Sequence, residues 1–285
     1  VPACPICDDS TWKTIEVDGI ERVARCDCWI EKAARSRLAH ANIPTRYQHC
    51  TLTNFLAYND SLKRAVDYAQ KVVSDFPGRS TERDRGLLLI GLPGVGKTHL
   101  AVAILKECIA KGGVGLFYTT SDLLGRLRST YSGQEGTTES AVVREVTQAD
   151  IVVFDELGRE RATEWRDEML HLIVNSRYSN RKPTIFTTNF DVGDVEDPDA
   201  LQVRVGTRIY SRLREMCEML HLDAADYRDR PENAGVEDLI AMWKMPRRSG
   251  LPTPRGSGRQ LRAQLKPKAR DTAAELKWPG GRAGS

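Results

Sequence analysis

Leu87-Leu88-Leu89-Ile90-Gly91-Leu92-Pro93-Gly94-Val95-Gly96-Lys97-Thr98 runs from an apolar strand, through a glycine-rich turn, into the helix-forming stretch His99–Ala110. Gly-x-x-x-x-Gly-Lys-Thr between a strand and a helix is the spacing of a phosphate-binding loop. Gly91, Gly94 and Gly96 let successive backbone N–H groups turn toward phosphate oxygens. The helix that follows points its positive end at the same anion. Lys97 is placed to neutralise the outer phosphates, and Thr98 offers a hydroxyl to Mg²⁺. Leu92, Pro93, Val95 and His99 complete the stretch expected to surround a nucleotide.

Working outward, Ile151-Val152-Val153-Phe154-Asp155-Glu156 is an apolar strand ending in two carboxylates. Asp155 at its tip is suited to hold Mg²⁺, and Glu156 to orient and deprotonate an attacking water. Thr184–Thr188 predicts another strand, with Asn189 at its end to hydrogen-bond a terminal phosphate or the water. Gly86–Ile90 and Gly115–Thr119 are further apolar runs without alternation, as strands covered on both faces require. Helical spacing falls at 98–111, 121–131, 139–148 and 164–179, separated by polar or Gly-rich loops such as 132–136. Strand and helix alternation of this kind predicts an α/β, doubly wound parallel sheet. Ser61–Phe76 reads as an amphipathic helix capped by Ser61, and Pro77–Ser80 as a loop. Arg208 and Arg212, four apart, share one face of a helical stretch. That face is either solvated or the group one copy inserts into its neighbour.

Cys4-Pro5-Ile6-Cys7 and Cys26-Asp27-Cys28 are two close pairs joined by a hairpin turning at Val17–Ile20. Four thiolates so spaced suit tetrahedral Zn²⁺, in a segment too small to fold on burial alone. The second pair has one spacer residue where two are commoner, which leaves His40, His49 or Cys50 as alternative ligands. Trp12, Ile15, Val17, Ile20 and Trp29 are candidates for a miniature core or a contact surface, with at least two of them expected in the core.

The 285 residues carry seven cysteines and a net charge of +3. An odd cysteine count, with no basic-then-apolar segment at Val1–Cys4, points to a reducing cytoplasm and against a disulfide framework. There is no apolar run of about 18 residues, so no membrane span is expected. From Lys244 onward, eleven Lys and Arg face only Asp271 and Glu275, a local net charge of +9 on a body of −6. Residues 246–285 read as disordered, either an electrostatic arm for nucleic acid or a solubilising end.

Taken in order, several stretches resemble the AAA+ ATPases, specifically the bacterial and phage helicase loaders of the DnaC/DnaI type. They are Ile43–Tyr47 with Thr51–Phe55, Gly91–Leu100, Phe154–Gly158, Trp165–Tyr178, Pro183–Asn189 and Gly206–Leu213, spanning about residues 43–230. The resemblance implies an ATPase that binds ATP with Mg²⁺ and self-associates into a ring or helical oligomer. Each site would be completed by a neighbour's arginine, Arg212 first and Arg208 second, with Arg228 a further candidate. It implies a replicative DNA helicase as partner, gripped by the zinc-bearing module. It also implies single-stranded DNA along residues 119–131, where Arg126, Arg128 and Tyr131 are the candidate contacts and Leu123, Leu124 and Leu127 face the core. The corresponding organisation is a Cys-rich module over 1–42, an ATPase domain over 43–235 and a basic tail over 236–285. Two rivals remain. One is a transposition helper of the IstB type, which the Cys-rich module disfavours. The other is a zinc-dependent DNA-binding adaptor using ATP as a switch.

Overall fold

Four apolar runs become the strands of one sheet in the computed structural model, which describes residues 4–17, 20–77, 86–132, 138–193, 197–231 and 235–245. The strands are β3 (Gly86–Ile90), β4 (Gly115–Thr119), β5 (Ile151–Asp155) and β6 (Thr184–Thr188). A small antiparallel hairpin, β1 (Trp12–Val17) and β2 (Ile20–Arg25), precedes them. Helices α1 (Cys28–Ala39) and α2 (Asp60–Asp75) lie between hairpin and sheet. A fifth strand that apolar patterning does not reveal, β7 (Cys217–His221), completes the five-stranded sheet. It directly continues a helix, with no glycine or proline to mark the change.

The sheet order is β4-β5-β6-β3-β7, and every pair is parallel. The strand feeding the glycine-rich loop therefore sits beside β6, which separates it from the acidic strand β5. All five residues of β3, β5 and β6 are buried, because helices cover both faces. Alternate side chains serve alternate cores. Leu88, Ile90, Val152, Phe154 and Phe186 pack under α4 (Thr120–Ser129), α5 (Glu139–Gln148), α6 (Glu164–Ser179), α7 (Leu201–Val205) and α8 (Thr207–Met216). Leu87, Leu89, Val153 and Ile185 pack under α2 and α3 (Lys97–Ala110). Leu123, Leu124 and Leu127 of α4 are buried as expected.

Two local expectations change. Asn59, not Ser61, caps α2: its side chain accepts from Leu62 N at 2.9 Å, and Ser61 donates to it. A further helix, α9 (Val236–Lys244), brings Trp243 against Tyr58 and within 3.3 Å of Asp223. The buried Arg177 ties α5 to β6 by donating to Val146 O, Ala149 O, Pro183 O and Thr184 Oγ1 at 2.6–2.9 Å. Burial without a carboxylate in contact pushes its guanidinium down to about 9.

The chain divides into two compact units, Val1–Met245 and Pro246–Ser285, and every described residue belongs to the first. The hairpin tip at 18–19, the loop residues 78–80 and 133–136, and residues 246–285 of the basic tail lie outside the described residues. Among the described residues, no helix is long and apolar enough to cross a membrane.

Candidate nucleotide site and cysteine cluster

The loop between β3 and α3 takes the shape its glycines permit. Gly94 and Gly96 have φ of 79° and 99°, values that side-chain-bearing residues rarely adopt. A Cβ on Gly96 would lie 2.8 Å from the Phe55 ring, and one on Gly94 would lie 1.7 Å from Asp226 Oδ1. Lys97 is buried, and its ammonium donates to the carbonyls of Gly91 and Leu92, both at 2.7 Å. The lysine thus turns onto its own loop, at the place where a phosphate would bind. Burial lowers its pKa to about 8.

Asp155 ends β5 directly opposite Thr98 of α3. Thr98 Oγ1 donates to Asp155 Oδ1 at 2.9 Å, and Thr187 Oγ1 of β6 donates to the same oxygen at 2.5 Å. Burial raises the Asp155 pKa, opposed by these two hydroxyl donors. The hard oxygens of Thr98 and Asp155, side by side at the loop, fit a divalent cation of the Mg²⁺ type. Glu156 follows with φ of 58°; its amide donates to Thr187 Oγ1 at 3.1 Å, and its half-exposed carboxylate pairs with Arg159. Asn189 is exposed at the tip of β6, between the other two strand ends. Lys97, Thr98, Asp155, Glu156 and Asn189 therefore meet at one end of the sheet. Open α/β sheets bind ligands at the carboxyl ends of their strands.

His99 departs from the loop. Its ring Nε2 lies 3.0 Å from Thr51 O and 2.8 Å from Asn54 Oδ1, and its edge meets Phe55. It anchors residues 51–55 against α3. A contact across the fold brings in a segment that local sequence barely marks. Tyr227 N donates to Gly94 O at 3.1 Å, so residues 226–228 lie over the glycine-rich loop. The charges acting on Lys97 include Arg228 and Asp226 as well as Asp155 and Glu156.

Arg208 and Arg212 lie on α8. Arg208 is exposed. Arg212 is half-buried, with Nε donating to Asn175 Oδ1 of α6 at 2.9 Å and one Nη to Arg208 O at 3.1 Å. On α4, Arg126 pairs with Glu145 at 2.8 Å and with Tyr118, bridging the α4–α5 junction while remaining about one third exposed. Arg128 and Tyr131 instead gather around Trp165. The Arg128 guanidinium stands 4.7 Å from the indole centre, and Trp165 Nε1 donates to the Tyr131 hydroxyl at 3.3 Å. Trp165 was absent from the sequence candidates for this surface, because only the α4–α6 packing brings it there.

At the other end of the chain, the sulfurs of Cys4, Cys7, Cys26 and Cys28 all lie within 4.8 Å of one another. Cys4–Cys26 is 3.8 Å and Cys7–Cys28 is 3.3 Å. Four sulfurs at about 2.3 Å from zinc would stand about 3.8 Å apart, so the donor set fits. The single spacer works because Cys28 opens α1, and Trp29 N donates back to Cys26 O at 2.9 Å to close the turn. The alternative ligands lie elsewhere. Cys50 is buried in the α2–α3 core, His40 Nδ1 is 2.7 Å from Ser36 O, and His49 stacks edge-on with His99. The expected miniature core is not formed: Trp12, Ile15, Ile20 and Trp29 are exposed, and the Val17 side chain lies outside the described residues. A two-stranded hairpin and one helix have too little depth to enclose them.

Strand, glycine-rich loop and helix, with an acidic strand one place removed in a parallel sheet, define a P-loop nucleotide-binding protein of the AAA+ arrangement. The profile of the family described as "IstB-like ATP binding protein" matches residues 31–234. The chain belongs to this family. It is 27% identical over 202 residues to the Bacillus subtilis protein YqaM, covering 70% of this chain and 64% of that one. It is 27% identical over 168 residues to the replicative helicase loader DnaC of Escherichia coli K12, covering 59% of this chain and 64% of the loader. A crystal structure of the DnaC helicase loader superposes with a TM-score of 0.55 at 35% identity, covering 63% of this chain and 99% of that one. The matched region thus spans under two thirds of the curated relatives' length.

Proposed function

We propose that this protein is an ATPase that loads a replicative DNA helicase onto single-stranded DNA in the cytoplasm. The observation that carries the chemistry is the pairing of Thr98 with Asp155 beside Lys97 and Glu156. Lys97 exchanges its two loop carbonyls for phosphate oxygens, and the backbone amides of the loop take the remaining charge. Thr98 and Asp155 would hold Mg²⁺, which screens the phosphates. Asp155, buried and hydrogen-bonded by two hydroxyls, is fixed in place. Glu156, on a turn with more freedom, accepts the proton of the attacking water, and Asn189 orients that water. Arg212 of a neighbouring copy supplies positive charge to the transition state, with Arg208 as second candidate and Arg228 placed over the loop within the same copy.

The 35% identity with a crystallised DnaC chain, 99% of which is matched, supports the loader role. The cysteine cluster, with Zn²⁺ as its ion, gives the exposed hairpin a fixed shape, and Trp12, Trp29 and Val23 offer the helicase an apolar face. Arg128, Tyr131 and Trp165 suit single-stranded DNA, pairing a cation for phosphate with flat rings for bases. Co-purification of metal-loaded full chain with a replicative helicase, compared with a transposase, tests the assignment. Selective retention of the helicase supports loading; retention of the transposase alone overturns it.

A further inference from the structure

We infer that Asn175 is a positioning residue for Arg212, holding the arginine half-anchored on its own protomer so that its free edge faces a second copy of this chain. The inference rests on the reading of Arg212 as the arginine that acts between copies. Guanidinium carries five N–H donors and no acceptor. The Arg212 Nε–H goes to Asn175 Oδ1 at 2.9 Å, and one Nη1–H goes to the carbonyl of Arg208 at 3.1 Å. Arginine only donates, so the oxygen of the Asn175 amide must be the atom that faces it. The guanidinium stands 5.8 Å from the Tyr178 ring centre, and Glu215 beside that tyrosine raises its pKa.

Asn175 and Tyr178 lie three apart on α6, and Arg212 and Glu215 three apart on α8, so each pair shares one side of its helix. Asn175 and the Arg208 carbonyl take two of the five donors, and the Tyr178 ring lies beside the guanidinium. Among the described residues, the Nη2 group and one Nη1–H have no partner. A fork fixed through Nε keeps its bidentate edge outward, which is the edge that phosphate geometry requires. The anchor is a neutral amide at half-buried depth. It orients the cation without a carboxylate to compete for the outward edge. Loss of the anchor therefore degrades aim rather than nucleotide affinity, and the effect appears on the copy that supplies the arginine.

The test uses two chains, each disabled at one place. Lys97→Ala loses its nucleotide grip but retains Arg212; Arg212→Ala retains its loop but brings no arginine. Full-length, metal-loaded chains are mixed one to one with ATP and a single-stranded dT oligonucleotide. Turnover that returns on mixing supports action between copies. A mixture as inactive as its parts overturns the Arg212 assignment, and the positioning role falls with it. When turnover does return, Asn175→Ala is added to one chain at a time. In the Lys97→Ala chain it lowers the mixed kcat about tenfold and leaves KM for ATP within about twofold. In the Arg212→Ala chain it costs less than about twofold. Asn175→Asp, which keeps an oxygen at the same place, retains at least about half the rate in the arginine-supplying chain. Equal loss in either chain, or none in the arginine-supplying chain, overturns the role of Asn175.

Discussion

The sheet and the hairpin module of this chain are stabilised by different physics. In the sheet, Leu87, Leu88 and Leu89 are each 0% exposed, and two helical layers close over them. In the module, Ile20 is 58% and Val23 is 70% exposed, while Cys26 is 1% exposed at the centre of the sulfur cluster. Apolar burial contributes about 25 cal/mol per Å², so a hairpin that hides little apolar area gains little from it. Zinc at the four sulfurs, as proposed, would supply the order that apolar burial does not, and the Arg25 guanidinium bridges the two exposed indoles, 4.0 Å from the Trp12 ring centre and 5.2 Å from that of Trp29. One part of the molecule buries its apolar residues between two helical layers, and the other leaves them exposed.

Four measurements sharpen that contrast. Stripping metal with a strong chelator, or Cys26→Ser, unfolds the module while the sheet keeps its cooperative melt; structural zinc contributes on the order of 10 kcal/mol to modules of this kind. Metal analysis and a thermal melt followed by circular dichroism check it, and a sheet that melts together with metal loss would erase the distinction. Phe154→Ala, at a ring stacked 5.4 Å from Phe186, costs the sheet about 3–5 kcal/mol in denaturant and leaves zinc content unchanged.

A pH effect comes next. Burial holds the Lys97 ammonium down to about 8. Phosphate favours its charged form, so ATP affinity is level below pH 8 and falls up to tenfold, about 1.4 kcal/mol, for each unit above. Calorimetry between pH 7 and pH 9.5 reads the slope, and an affinity level across that whole range would contradict it. Smallest is Asn59→Ala, which removes the α2 cap and costs about 1 kcal/mol of sheet stability with no effect on the module.

Much of this was legible in the chain itself, for a physical reason. Strands buried on both faces need few polar residues, so β3, β4 and β5 stand out as mostly apolar runs between loops, while β6 mixes Ile185 and Phe186 with three buried threonines. The glycine-rich loop is equally plain because its backbone shape forbids most side chains. Contacts made across the fold left no local trace. Asp226–Arg228 reaches the loop from more than 120 residues away, Glu145 pairs with Arg126 across the α4–α5 junction, and Trp165 joins Tyr131 only when α6 packs on α4. β7 was hidden because a helix runs into it without punctuation. The hairpin's Trp and Ile residues carried an apolar signal that usually means core, but the module lacks the depth to bury them.

The central claim, that Lys97 holds ATP for a cleavage dependent on Glu156, is tested most directly by comparing binding and turnover in Glu156→Gln. The metal-loaded full chain, with a single-stranded oligonucleotide, should bind ATP within about twofold of the parent. Its turnover should fall at least about 100-fold, the contribution of a positioned general base. Hydrolysis at the parental rate in that variant, or a parent chain with no affinity for ATP, would contradict the account.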